Sequence, residues 1–235
     1  MKYFIFLIPF ICFGYTISHN NLDIETSVKS SYSVGYSEEH EQPIWCLYTV
    51  TSNQLCSSQK FKRTNNFRVD TNITTISSSP KDYLRSGFDK GHLCPAQDRG
   101  YSLESISETF LMSNMCPQDP SFNRGIWKRL EDATRKFAIK YGSVDVICGP
   151  VIFNRHDSIT NNVSIPQMFY KILVSKVDDK TEILAFVFPN QQSEDSLINF
   201  CVPVCFIESI SGLIFDLDCD DIHKRYINYN MILEF

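Results

Sequence analysis

Residues 122–141, FNRGIWKRLEDATRKFAIKY, have the clearest periodicity in the chain. Their apolar side chains recur at spacings of three and four positions, at Ile126, Leu130, Ala133, Phe137 and Tyr141. This spacing predicts an amphipathic helix that Gly142 ends. Within it, Asn123, Trp127 and Glu131 fall at i, i+4 and i+8, so they trace one slowly drifting stripe along the helix.

The segments on either side of this helix have the composition of β-strands. The segments rich in β-branched and aromatic residues are 44–51 (IWCLYTVT), 144–153, 167–177 and 181–188. Asp178 and Asp179 fit a hairpin turn between the last two of these strands. Short helices are predicted at 102–112, with Ser102 as N-cap, and at 193–200 and 204–211. The pattern indicates the α+β class, with a central antiparallel sheet flanked by helices.

The N-terminal segment differs in composition from the rest of the chain. Lys2 is followed by an almost wholly apolar stretch, residues 3–15, which is shorter than the roughly 20 residues that span a bilayer. We therefore expect a secretory signal peptide at 1–18 and an extracellular protein, with no membrane contact after cleavage. An uncleaved anchor and a mitochondrial presequence are the alternatives, although the segment has no arginine. Polar, Ser-rich residues 19–42 are expected to form a loose leader to a domain at 43–235.

The cysteine count fits an oxidising compartment. Of nine cysteines, Cys12 would leave with the signal peptide. The even number that remains makes all of them disulfide candidates: Cys46, Cys56, Cys94, Cys116, Cys148, Cys201, Cys205 and Cys219. Free buried thiols are the alternative, and zinc is disfavoured because no C-x-x-C pair exists. The sequons at Asn72 and Asn162 predict glycosylation in a secretory pathway.

The formal net charge is −5, so any nucleic-acid contact would depend on local positive charge. One basic cluster contains Lys60, Lys62, Arg63 and Arg68, and another contains Lys128, Arg129, Arg135, Lys136 and Lys140. The acidic residues gather elsewhere, at 38–41 and 216–221. Both a basic groove and two ordinary solvated faces are compatible with these positions.

The first motif with chemical potential is Asp89-Lys90-Gly91-His92. Histidine titrates near neutral pH and can accept a proton from water, while a neighbouring glycine lets a substrate approach closely. A lysine can hold a phosphate as a point charge. A structural histidine in a glycine-containing turn is the alternative interpretation.

Two further motifs follow this one along the chain. Residues 113–118 (SNMCPQ) are typical of a polar connection between two helices. On the predicted helix, the amide of Asn123 and the carboxylate of Glu131 share a face and suit a hydrated hard cation such as Mg²⁺. Glu131 and Arg135 are spaced as an i, i+4 ion pair, which could equally be an ordinary surface pair.

These three motifs, in this order and at these intervals, resemble the DNA/RNA non-specific endonuclease family, which has the ββα-metal fold. The family includes secreted bacterial sugar-non-specific nucleases and mitochondrial endonuclease G. Supporting segments lie at 165–171 (IPQMFYK), 185–190 (AFVFPN) and 207–215 (IESISGLIF), so the likeness spans roughly 44–215. The resemblance implies an α+β fold with a ββα active-site motif.

The resemblance also implies roles for individual residues. It makes His92 the general base, Asp89 a support of the histidine and metal region, and Asn114 a residue that shapes the site. Asn123 would be the one direct protein ligand of Mg²⁺, with Mn²⁺ as a substitute, and Glu131 would hold metal-bound water. Substrate phosphate would contact Lys90, Arg124 and Arg135.

Three positions depart from the family pattern. Lys90 stands where arginine is usual and loses the two-pronged phosphate contact. Cys94 and Cys116 stand where small apolar residues are common, which suggests a disulfide beside the site.

The resulting expectation is a secreted endonuclease that cuts DNA and RNA with little sequence preference and leaves 5′-phosphate ends. A weakened nuclease-like protein that binds nucleic acid without cutting it is the second hypothesis. A disulfide-rich extracellular structural protein is the third. We also allow for a homodimer.

Overall fold

The computed structural model describes residues 15–19, 23–58, 60–153, 157–177 and 180–217. The strands are β1 (Thr16–His19), β2 (Ile24–Val28), β3 (Ser33–Ser37), β4 (Gln42–Thr51), β5 (Asp89–His92), β6 (Met115–Gln118), β7 (Ser143–Val151), β8 (Met168–Val177), β9 (Lys180–Pro189) and β10 (Leu213–Asp216). The α-helices are α1 (Ser52–Ser57), α2 (Leu103–Glu108), α3 (Pro120–Phe122), α4 (Lys128–Tyr141) and α5 (Val204–Ser211). The predicted signal peptide, the Asp178–Asp179 turn and Cys219 fall largely or wholly outside the described residues.

The centre of the fold is a six-stranded sheet in the order β2-β3-β4-β7-β8-β9, with every neighbouring pair antiparallel. Alternate residues of β7 face opposite sides, so Val146 packs in one core and Ile147 in the other. Leu130 and Phe137 of α4 cover the first face, while Ile207 of α5 contributes to the second core. The predicted α+β class with a central antiparallel sheet is confirmed.

The segment expected to be a loose leader differs most from its prediction. Residues 24–28 and 33–37 form β2 and β3 of the central sheet instead. Every residue of β3 is buried. A Cβ at Gly35 would lie 2.0 Å from the indole nitrogen of Trp45, so glycine gives that side chain its space. The sequence did not predict β2 and β3 because their small and polar residues have low β-propensity. The neighbouring strands of the sheet stabilise them instead.

A small ββα unit lies against this sheet. Strands β5 and β6 form a separate antiparallel pair, and the α3–α4 segment follows directly. The residues of the SNMCPQ segment, which was predicted to be a loop, form a 3₁₀ turn (Met112–Asn114) and β6. Asp119 begins α3 by accepting hydrogen bonds from the backbone amides of Ser121 and Phe122, at 2.8 and 3.1 Å.

The predicted helix at 122–141 is interrupted near its start. Residues Asn123–Trp127 form a π-helical turn, and Gly125 has φ −102° and ψ −109°, outside the helical region. Regular α-helix resumes at Lys128 and ends at Tyr141, before Gly142 with φ +91°. Single π-turns of this kind occur frequently at functional sites.

The shorter predicted helices agree with the structure to different degrees. Ser102 caps α2 as predicted, accepting a hydrogen bond from the backbone amide of Ser105 at 3.4 Å, and α5 has the predicted bounds. The predicted helix at 193–200 is limited to a 3₁₀ turn, Leu197–Phe200. Among the described helices, none combines the length and the apolar character that crossing a membrane requires.

The disulfide prediction does not agree with the structure. Seven of the eight candidates lie in the described part of the chain, and all are free thiols: Cys46, Cys56, Cys94, Cys116, Cys148, Cys201 and Cys205. Four of them are fully buried in the core on the α4 side of the sheet, at Cys46, Cys94, Cys116 and Cys148. They pack there as small apolar side chains, so the expected Cys94–Cys116 bridge is not formed.

Both sequon asparagines lie at the surface. Asn72 and Asn162 are exposed. Ser164, the hydroxyl residue of the second sequon, is fully buried. A glycosylating enzyme could therefore reach the complete first sequon more easily than the second in the folded chain.

Candidate active site

Strand β5 presents the residues of the DKGH motif on two faces. Side chains alternate along a strand, so Lys90 and His92 face one way and Asp89 the other. Gly91 pairs with Cys116 of β6, and a Cβ at this glycine would lie 2.1 Å from the side chain of Gln118. Glycine at this position is therefore required by the close packing of β5 against β6.

Asn114 fixes the chain where it leaves β5. Its Oδ1 accepts a hydrogen bond from the backbone amide of Cys94 at 2.9 Å. Its Nδ2 donates to the carbonyl oxygens of Cys94 at 3.0 Å and Thr109 at 2.9 Å. The fully buried Asn114 thus acts through the backbone beside His92.

The imidazole of His92 is held by aromatic rings. Its centroid lies 5.0 Å from that of Phe110, in an edge-on arrangement, and 5.7 Å from that of Phe67. The two phenylalanines contact each other edge-on at 5.0 Å. Nε2 of His92 is buried and makes no hydrogen bond to any described residue. No carboxylate among the described residues forms a hydrogen bond with this ring, so its position depends on packing.

Burial lowers the pKa of His92 to about 3, and the positive charges of Arg63 and Lys90 contribute in the same direction. The imidazole is therefore neutral at physiological pH. A neutral imidazole with an unpaired nitrogen has a lone pair that can accept a proton.

Asp89 links β5 to the π-turn. Its carboxylate accepts a hydrogen bond from Nδ2 of Asn123 at 2.9 Å and two from the guanidinium of Arg124, at 2.9 and 2.6 Å. Burial raises the pKa of Asp89, but these partners outweigh it and lower the pKa overall. Because the amide nitrogen is committed to Asp89, Oδ1 of Asn123 is free of hydrogen bonds to the described residues.

Glu131 lies one turn into α4 and is partly buried. Burial raises its pKa to about 7, while the positive charge of Lys171 opposes this rise and the negative charge of Asp98 adds to it. Its carboxylate makes no hydrogen bond to a described residue. Together with the amide oxygen of Asn123, it supplies unpaired oxygen donors of the kind that hard divalent cations prefer.

Arg135 has different partners from those expected. Its guanidinium is mostly buried and donates hydrogen bonds to Asp98 at 2.7 Å and Asp132 at 2.6 Å. The expected i, i+4 pair with Glu131 is therefore not formed. Arg124 is mostly exposed but is held by Asp89.

The site also contains residues that sequence reasoning did not assign to it. The guanidinium carbon of Arg63 lies 4.9 Å from the ring centroid of Phe110. Burial lowers the pKa of Arg63, and the negative charge of Glu131 opposes this shift. The charge of Arg63 in turn lowers the pKa of His92, so the guanidinium interacts electrostatically with both residues. Nζ of Lys90 lies 4.9 Å from the centroid of Phe67. The basic cluster at 60–68 was the sequence feature that could have indicated Arg63, although nothing in that cluster linked it to His92.

Comparisons with known proteins match most of the chain. A family model described as DNA/RNA non-specific endonuclease matches residues 14–222. The chain is 34% identical over 206 residues to Nuclease 1, mitochondrial, of Schizosaccharomyces pombe, covering 79% of this chain and 64% of that protein. It is 32% identical over 203 residues to Nuclease C1 of Cunninghamella echinulata, covering 80% of this chain and 81% of that protein.

A solved structure has the same fold. A chain in the crystal structure of the EndoG/EndoGI complex matches with a TM-score of 0.78 and 29% identity, over 83% of this chain and 87% of that chain. The chain spans 60%, 61% and 64% of the length of three curated mitochondrial nucleases that it matches. The chain belongs to the DNA/RNA non-specific endonuclease family.

Proposed function

We propose that this protein is a metal-dependent endonuclease that hydrolyses phosphodiester bonds of DNA and RNA with little sequence preference. The observation that carries the proposal is the imidazole of His92, whose buried Nε2 has no hydrogen-bond partner among the described residues and whose pKa is lowered by the charges of Arg63 and Lys90. A base that keeps its lone pair beside phosphate-binding cations suits the attack of water on a phosphodiester.

His92 is the proposed general base. Its buried Nε2 has no hydrogen-bond partner among the described residues, so this nitrogen is the one proposed to bind the attacking water. Phe67 and Phe110 pack against the imidazole and fix its ring plane. The neighbouring cations disfavour the imidazolium, so the proton taken from water must pass on to solvent or product.

The proposed metal site uses Oδ1 of Asn123 as the direct ligand and the carboxylate of Glu131 through water. Both carry oxygen atoms that make no hydrogen bond to a described residue, which fits a cation that keeps most of its hydration shell. A bound Mg²⁺, or Mn²⁺ in its place, would stabilise negative charge on the phosphate and on the leaving 3′ oxygen. Products with 5′-phosphate ends are expected from that cleavage.

The first candidates to contact the substrate phosphate are Lys90 and Arg63, because both cations lie near enough to His92 to lower its pKa. Arg124 is an exposed candidate that already neutralises Asp89. Arg135 would act indirectly, since its guanidinium is committed to Asp98 and Asp132. Contacts to phosphate rather than to base edges explain the expected lack of sequence preference.

The test compares purified wild type with His92→Ala and Asn123→Ala on plasmid DNA and on RNA, across a Mg²⁺ titration. His92→Ala should lose cleavage at every Mg²⁺ concentration, whereas Asn123→Ala should need more Mg²⁺. His40→Ala and the exposed Asn53→Ala are matched controls away from the site. Nucleic-acid binding without cleavage, with or without EDTA, would replace the proposal by the binding-module hypothesis.

We further propose that the protein is secreted, with the mitochondrion as the alternative location. The apolar segment at 3–15 without arginine supports secretion, whereas several relatives carry mitochondrial names. A glycosidase-sensitive mass shift that Asn72→Gln abolishes would establish passage through a secretory pathway. Recovery of unglycosylated protein in mitochondria would establish the alternative. Assembly as a homodimer stays a prediction, which sedimentation would test.

A further inference from the structure

A groove of about 380 Å³ lies between α4 and the 3₁₀ turn Leu197–Phe200. We call it the α4 groove. Its cations are Arg129, Lys136 and Lys140, and its apolar lining includes Phe137 and Leu197. None of these side chains belongs to the active site described above, so the groove is a separate surface feature.

The cations of the groove share one side of the helix. Positions 129, 136 and 140 are separated by seven and four residues, which returns them to nearly the same direction at about 100° per residue. Glu131 lies about 160° away around the helix from Arg129 by the same geometry. Lys136 and Lys140 are displaced by about 6 Å along the axis. The helix therefore presents its active-site carboxylate and its row of cations in different directions.

The acid that lines the groove has its charge balanced by basic residues. Asp132 forms ion pairs with Lys128 at 3.2 Å and with Arg135 at 2.6 Å. Asp195 and Glu194 lie in the loop beside Arg129, so the most positive end of the groove is at Lys136 and Lys140. Lys136 is exposed and forms no ion pair with a described residue.

Arg129 is held in place by backbone carbonyls. Its guanidinium donates hydrogen bonds to the carbonyl oxygens of Ser193 at 3.1 Å and Asp195 at 2.9 Å. These neutral acceptors orient the side chain without cancelling its charge. They also tie α4 to the loop that forms the opposite wall, so the groove is built by a fixed contact.

We propose that the α4 groove binds the phosphodiester backbone of DNA or RNA outside the cleavage position. This inference rests on the proposed function and adds a second contact to it. The whole chain carries a formal charge of −5, so a polyanion must be held by local cations, and a concave row of them concentrates that attraction. Leu197 offers a partly exposed apolar contact to the sugars or bases of a strand lying there, whereas Phe137 is almost fully buried.

The experiment reverses the charge of the two lysines at the positive end of the α4 groove, in the double variant Lys136→Glu/Lys140→Glu. The control is Lys81→Glu/Lys176→Glu, which makes the same charge change at exposed positions outside the groove. Both are assayed with Mg²⁺ on long DNA, long RNA and a tetranucleotide that is too short to reach beyond the active site. Affinity for long DNA is measured separately by fluorescence anisotropy in EDTA.

For the groove variant we expect KM on long substrates to rise about tenfold, with kcat and the tetranucleotide rate unchanged. The slope of log affinity against log salt should become shallower by about two units, because each lost phosphate contact removes about 0.9. Equal effects in the control variant, or an equal loss on the tetranucleotide, would overturn the proposal. If wild type cuts nothing, the proposed function fails, and the anisotropy comparison still decides whether the groove binds nucleic acid.

Discussion

Asp89 accepts the Nδ2 hydrogen of Asn123 over 2.9 Å, and this bond determines which atom of the amide is available. With the nitrogen bound to the carboxylate, Oδ1 is the amide atom that makes no hydrogen bond to a described residue. The family resemblance implied that Asp89 supports the histidine and metal region, and in the structure its carboxylate accepts hydrogen bonds from the π-turn. Asp89 thus acts on the proposed metal ligand rather than on the proposed base.

Asp89→Ala should weaken metal binding by about 10- to 100-fold, the usual cost of removing a group that orients a ligand. The amide of Asn123 could then rotate and present nitrogen instead of oxygen. Calorimetric titration with Mg²⁺ measures this directly, and the Mg²⁺ dependence of cleavage should shift in parallel. Arg124→Ala keeps the Asp89–Asn123 bond and should shift metal binding much less. Equal shifts in both variants would contradict the proposed role of the bond.

Phe67→Leu should lower kcat about tenfold with little change in KM, because the His92 ring loses one of its two aromatic neighbours. Phe67 is only partly buried, so the substitution should leave the fold intact. Phe61→Leu, in the same loop and with no ring contact to a described residue, is the control. The NMR line width of the His92 ring protons should increase in Phe67→Leu. Unchanged line width and kcat would show that packing does not position the imidazole.

His92 should make the protein less stable in acid. Its pKa is about 3 in the folded chain and about 6.5 when unfolded. As pH falls below about 6.5, the unfolded chain gains a proton that folded His92 does not accept, so stability drops until about pH 3. Tm measured from pH 7 to 4 should therefore fall more steeply in wild type than in His92→Gln. Parallel curves for the two proteins would mean that His92 is not buried as a neutral base.

Lys29→Met should lower the free energy of unfolding by about 3 to 5 kcal/mol. Lys29, in the turn between β2 and β3, forms a 2.6 Å ion pair with Asp70, and both side chains are almost fully buried. Asp70 also accepts a hydrogen bond from Ser113 at 2.5 Å, next to Asn114. Removing the lysine leaves a buried carboxylate without its cation. Urea unfolding gives the measurement, with exposed Lys81→Met as the control; a change as small as that of the control would contradict the prediction.

The sequence predicted those elements whose periodicity or composition is local. Strands β4, β7, β8 and β9 and helix α5 lie within a few residues of their expected bounds, because β-branched and apolar patterns reflect burial against the sheet. Strands β2 and β3 were missed, since serine and glycine carry no such pattern. Their stability comes from long-range contacts such as Lys29–Asp70 and the space that Gly35 leaves for Trp45.

Only the site residues that belong to a sequence motif could be predicted. The three motifs led to His92, Asn123 and Glu131, but not to the contacts between separate segments. Arg63 and Phe67 lie in a polar loop without periodicity, and only folding brings them to His92. The spacing of Arg135 suggested a pair with Glu131, whereas the buried Asp98, from another segment, is its actual partner.

The π-turn at Asn123–Trp127 has a consequence for how the distance between the proposed metal ligands can change. Such a turn takes up one residue more than a regular helical turn, so removing a single residue there would restore ordinary winding while the segments on either side keep nearly the same relative orientation. An insertion or deletion in the regular part of α4 before Glu131 would instead rotate the amide of Asn123 by about 100° around the helix axis while Glu131 stays anchored.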